Sequence, residues 1–183
     1  MTIIFSNRED LDSLVLKRVF QRLNAKILEI LPNSIDWENS VDLAISEEKD
    51  TIVFIGHGTS KGLLFPDFNT GEYILHENNV NLIKAERVLC LWCYASYFSA
   101  EQNIHNSVSS SMFISNEKEA EENDIYDSTQ IEISKVCEKI YLELVDLIQR
   151  DVPIEQWTMS IGVKVDEDKE VDVFNRRGFY YNE

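Results

Sequence analysis

Basic residues are scarce. The 183 residues carry 17 Lys and Arg against 33 Asp and Glu, a formal net charge of −16. A chain of that sign repels phosphate backbones, and Lys17, Arg18 and Arg22 form only a small cluster, so nucleic acid is not an expected partner. Long apolar runs are missing too. The longest, Val88 to Ala95, falls far short of the ~20 residues that cross a bilayer. No basic stretch precedes an apolar one at the start, so neither export nor a membrane partner is expected. Cys90, Cys93 and Cys137 are the only 3 cysteines, too few and too odd a number for a disulfide framework. A reducing, cytoplasmic setting is the expectation. The sequence has no internal repeat, no low-complexity tract, and no G-x-S-x-G elbow of a serine α/β-hydrolase.

What is present suits one globular domain over residues 1–183. At 44% hydrophobic and 27% charged, the chain is long enough to bury roughly 70% of its unfolded surface. Six apolar runs recur: Ile3 to Phe5, Ala25 to Ile30, Ile52 to Ile55, Val88 to Trp92, Met112 to Ile114, and Met159 to Val165. Most lack polar alternation, as strands covered on both faces do. Between them lie helix-period segments at Asp10 to Leu23, Ser34 to Glu48 and Thr129 to Gln149. In the last, Ile133, Val136, Cys137, Ile140, Tyr141, Leu144, Leu147 and Ile148 keep the spacing of a buried stripe. Thr129 and Glu132 form a capping box before it, and Pro153 prevents its continuation. The pattern predicts an α/β three-layer sandwich with a mainly parallel six-stranded sheet flanked by helices. Lys61 to Leu75 breaks the rhythm and reads as a hairpin around Asn69-Thr70-Gly71, before a short helix at Asn79 to Ala85.

The third run ends in Gly56-His57-Gly58 and the fourth in Trp92-Cys93-Tyr94. In a parallel sheet both ends lie on the carboxyl edge, where α/β proteins place their sites. Neighbouring strands would bring their ends to about 5 Å. An imidazole beside a thiol has a chemical use, because an imidazolium favours the nucleophilic thiolate. Gly58 leaves room for a substrate to approach the backbone, and its N–H is a candidate oxyanion donor.

In organisation these motifs resemble the caspase-like cysteine peptidases, which include gingipains, legumains, clostripains, separases and bacterial CHAT peptidases. Those proteins carry an apolar strand ending in His-Gly, a variable hairpin and helix, then an apolar strand ending in the nucleophilic Cys. TIVFIGHG and RVLCLWCYAS look like that pair, with His57 and Cys93 separated by 36 positions. The resemblance implies a caspase-like fold and hydrolysis of a protein or peptide through a Cys93 thioester, with His57 as general acid and base. It implies Gly58 and Cys93 N–H groups as oxyanion donors, a dyad without a third carboxylate, and no cofactor or metal. It also implies a substrate pocket bordered by the residue after the first strand, where Arg8 would favour an acidic side chain and Asp10 a basic one. Trp92 and the fifth-strand run SSSMFISN with Ser115 would complete it. Trp92 stands where the family often has Ala or Ser, and no Gly follows the Cys. The alternative function is therefore a catalytically idle caspase-like binding or regulatory module that meets a regulatory protein partner.

Other motifs carry less. Cys90-Leu91-Trp92-Cys93 is a C-x-x-C, but Cys90 lies inside a strand run and no second pair exists for zinc. Gly56 to Gly62 mimics a dinucleotide loop, yet a hairpin follows instead of the required helix. The acidic cluster Asp166, Asp168, Glu170 and Asp172 lacks the Gly and closing Glu of a calcium loop and reads as a solvated turn. The run Glu117 to Asp124 reads as a solvated loop or helix end. His76 and His105 read as surface or turn residues.

Overall fold

In the computed structural model, which describes residues 1–183, the chain opens with β1 (Thr2–Ser6), α1 (Leu11–Phe20), β2 (Lys26–Ile30), α2 (Trp37–Glu47) and β3 (Thr51–Ile55). Three short strands follow, β4 (Gly58–Thr59), β5 (Gly62–Leu64) and β6 (Tyr73–Leu75), then β7 (Arg87–Leu91), α3 (Ala95–Glu101) and β8 (Ser107–Ser110). The remainder is helical, α4 (Glu117–Glu122), α5 (Gln130–Gln149), α6 (Trp157–Gly162) and α7 (Glu170–Arg177), before the last strand β9 (Phe179–Asn182). The main sheet has the order β2-β1-β3-β7-β8-β9, parallel except for β9. This is the expected α/β architecture.

Alternate residues of each central strand feed two separate cores, which is why the runs are apolar throughout. Ile3, Phe5, Val53, Ile55, Leu89 and Leu91 pack against α1, α5, α6 and α7 on one face. Ile4, Ile52, Phe54, Val88 and Cys90 pack against α2, α3 and the small sheet on the other. The stripe of α5 is buried as read, and its capping box forms, the Thr129 side chain accepting from the Glu132 N–H. No helix is long and apolar enough to cross a membrane.

The departures from the sequence reading have identifiable causes. The fifth parallel strand is Ser107–Ser110 rather than Met112 to Ile114. Its serines are buried at no cost in unpaired hydroxyls: Ser107 donates to the Ile104 carbonyl, Ser99 and Ser109 share a 2.6 Å bond, and Ser110 donates to the Trp92 carbonyl. Phe113 and Ile114 are core residues on an irregular segment just beyond. Met159 to Gly162 ends α6 and Val163 to Val165 leave it through a turn, because Trp157 and Ile161, four apart, are the buried face of the helix while Met159 and Val163 are exposed. Of the acidic cluster, Asp166 and Asp168 lie in or beside a turn as read, whereas Glu170 and Asp172 open α7, with Asp172 buried against Arg176. The run from Glu117 forms α4, capped by Asn116 accepting from the Glu119 N–H. The hairpin forms as β5 and β6, joined by β4, and the helix after it shrinks to one 3₁₀ turn at Val80–Leu82.

Candidate active site

β3 and β7 are neighbours in parallel register, with Ile55 opposite Leu91 and the Gly56 N–H donating to the Leu91 carbonyl at 3.2 Å. His57 and Cys93 each lie two residues beyond these ends. Both line one cavity of about 30 Å³ together with Asp12, Gly56, Trp92, Phe113, Ser115 and Tyr141. That volume holds about one water. Gly56 is required here: its φ is +146°, and a Cβ would overlap the Ser6 side chain and carbonyl.

The imidazole is turned to a carboxylate. His57 Nε2 lies 2.8 Å from Asp10 Oδ2. Asp10 is itself fixed as the N-cap of α1, accepting from the Ser13 N–H at 2.9 Å. Burial pushes the Asp10 carboxyl up, but the His57 bond, the Ser13 N–H and the imidazolium charge outweigh it and hold it well below the usual range. For His57, burial lowers the pKa, while the bond to Asp10 and the charges of Asp10 and Asp12 overcome this and raise it. Across the ring, Phe68 meets His57 edge-on at 5.6 Å, and the Arg8 guanidinium lies 3.9 Å over the other ring.

The thiol is held separately. Cys93 Sγ–H donates to the Phe113 carbonyl at 3.6 Å. Burial, with the charges of Glu119 and Asp12 adding to it, pushes this thiol up to about 11. Ser115 sits between those carboxylates: its Oγ lies 2.6 Å from Asp12 and 3.0 Å from Glu119, and its N–H donates to Glu119. Burial is also the main reason the Asp12 pKa is raised. Cys90 faces the opposite core, fully buried and pushed up to about 12.

Of the residues singled out in the sequence, His57, Cys93, Trp92 and Ser115 are brought to one cavity, whereas Arg8 and Asp10 lie on the imidazole side outside its lining. Asp10 partners His57 rather than standing free to read a substrate. Trp92 is 2% exposed, donates from Nε1 to the Thr59 carbonyl at 3.1 Å, and belongs to the second core. The missing Cβ of Gly58 makes room for the Trp92 indole and the Gly62 carbonyl, not for an incoming ligand. Asp12, Glu119, Phe113 and Tyr141 carry no site signal in the sequence, where Phe113 and Tyr141 read as core and Glu119 as part of a solvated run. Asp12 shares a first turn with its cap, and nothing in the order of residues says that the acidic α4 folds back over Cys93.

No family model, no curated protein and no solved structure matches this chain.

Proposed function

We propose that the chain is a cysteine peptidase of caspase-like organisation, with Cys93 as nucleophile and His57 as general acid and base. One observation carries the reading: adjacent parallel strands end at the same level of the sheet two residues before His57 and Cys93, and both residues line one cavity. In the proposed reaction the Cys93 sulfur attacks the scissile carbonyl while its proton passes to His57. The C–N bond then breaks, His57 protonates the departing amine, and an acyl thioester remains on Cys93. Water attacks that thioester, giving its proton to His57, which returns it to the departing sulfur. Backbone N–H groups of Gly58 and Cys93 serve the oxyanion. Asp10 sets the orientation and charge of the imidazole, so the working group is a triad rather than a dyad. The substrate is a protein or peptide, and three free thiols suit a reducing cytoplasm.

A second reading, an idle caspase-like module that binds a protein partner, is favoured by two features: burial pushes the Cys93 thiol up to about 11, so that it stays protonated at neutral pH, and the cavity of about 30 Å³ has no room for an acyl group. Peptidyl acyloxymethyl ketones, varied at the side chain next to the reactive carbon, decide between them. The peptidase reading expects a Cys93 adduct, seen by mass spectrometry, that is lost in His57→Ala. No adduct, or one formed equally in His57→Ala, leaves the binding module.

A further inference from the structure

Asn175 of α7 is 0% exposed, and its side chain is spent mainly on Ile114, with Nδ2 also 3.9 Å from the Cys137 sulfur. Oδ1 accepts from the Ile114 N–H at 2.8 Å, and Nδ2 donates to the Ile114 carbonyl at 2.9 Å. Ile114 lies beyond the end of β8, past the last residue paired by β9. A side-chain amide thus supplies the donor and acceptor that a neighbouring strand would give, which is what a buried irregular backbone requires. The Cys137 thiol donates to the same Ile114 carbonyl at 3.3 Å. Either side of Ile114 are groups of the candidate site: the Phe113 carbonyl that accepts from Cys93, and Ser115, which holds Asp12 and Glu119.

We infer that Asn175 is a positioning residue for Cys93: by clamping the backbone of Ile114 it fixes the Phe113 carbonyl against the thiol and Ser115 against the carboxylates. The inference rests on the reading of Cys93 as the reactive thiol, and it makes the C-terminal helix part of the site. The groups that face Cys93 are Asp12 of α1, Glu119 of α4, His57 after β3, and Tyr141 of α5. Asn175 touches none of the carboxylates, so its effect on the thiol passes through Ile114.

The test is the pH–rate profile of iodoacetamide labelling at each cysteine, with Cys90 as the internal control because it faces the other core. In Asn175→Ala the Cys93 profile is expected to move down by about one pH unit, a roughly tenfold gain at pH 8, as water reaches the thiol, while Cys90 and the circular dichroism stay unchanged. Asn175→Asp keeps the acceptor for the Ile114 N–H but loses the donor, and is expected to give part of the shift. An unchanged Cys93 profile, or Cys93 and Cys90 accelerating together, overturns the inference. Hydrogen exchange in the wild type checks the clamp without any substitution: the Ile114 amide is expected to be as protected as those of β8, and exchange at the rate of an exposed loop also overturns it. Failure of the peptidyl ketones to find a His57-dependent Cys93 removes the peptidase reading instead, and leaves the labelling shift standing.

Discussion

The His57 imidazole and the Asp10 carboxylate form a 2.8 Å pair that ties the end of β3 to the start of α1. Each partner favours the charged form of the other, so the pair links stability to pH.

For His57 the folded pKa is raised, so its contribution is complete below the ordinary value of 6.5 and is lost as pH rises through the folded value. For Asp10 the folded pKa is lowered, so its contribution is present above the ordinary 3.8 and is lost as pH falls through the folded value. The pair therefore counts most between these two ordinary values. Asp10→Asn is expected to cost about 1 kcal/mol at pH 5.5, after discounting for partial exposure, and less at pH 9, well above the ordinary imidazole value of 6.5. Urea midpoints of both proteins at the two pH values check this; a gap that widens with pH contradicts it.

The carboxylates beside Cys93 oppose its ionisation. Glu119→Gln preserves an acceptor for the Ser115 N–H while removing one charge. Cys93 labelling at pH 8 is expected to rise about twofold, a shift of about 0.3 pKa unit. Cys90, on the far side of the sheet, is expected to keep its rate. Equal rates in variant and wild type at Cys93 would mean that burial alone holds the thiol.

Gly58 sits against the Trp92 ring, where a Cβ has no space. Gly58→Ala is expected to destabilise by about 1–3 kcal/mol through overpacking. Trp92 fluorescence should shift in the same variant, because the indole must give way or lose its bond to the Thr59 carbonyl. A variant of wild-type stability with an unaltered spectrum would show that the small sheet yields instead.

The Arg176 side chain is 0% exposed and is held by Asp172, Glu143 at 2.6 Å, and the Ile161 carbonyl. Removing the cation leaves two carboxylates facing each other in the interior. Arg176→Met is expected to cost about 3–5 kcal/mol, read from thermal or denaturant unfolding. Adding Glu143→Gln and Asp172→Asn should recover most of it, since the cost lies in the uncompensated charges. A triple variant no more stable than Arg176→Met would place the cost in lost packing.

The central strands were legible because residues of both faces are buried, so Ile3 to Phe5 and Ile52 to Ile55 stand out as unbroken apolar runs. The α5 stripe was legible because its period and its cap coincide. Ser107–Ser110 was not, since a polar strand is admissible only once Ile104, Ser99 and Trp92 supply partners, and those arrive through tertiary structure. β9 was not, because its four residues carry no periodic signal apart from their pairing with β8. At the site, the order of His57 and Cys93 was readable from the strand ends. The carboxylate on His57 was not assigned to that role, because Asp10 reaches the imidazole only after α1 is set against the sheet.

The connection between β3 and β7 is made by a small antiparallel sheet in place of a helix. Its obligations lie on its inner face: it must leave after His57, pack Gly58 against Trp92, offer the Thr59 and Leu64 carbonyls to Trp92 and Ser6, supply Leu63, Phe65, Ile74, Leu75 and Val80 to the second core, and return the chain at Glu86, whose N–H meets the Lys49 carbonyl. The exposed turn Asn69-Thr70-Gly71 carries none of these contacts and is an exchangeable cassette. It can be lengthened, shortened or replaced by grafting while the register of Ile55 with Leu91, and with it the spacing of the two strand ends, stays as it is.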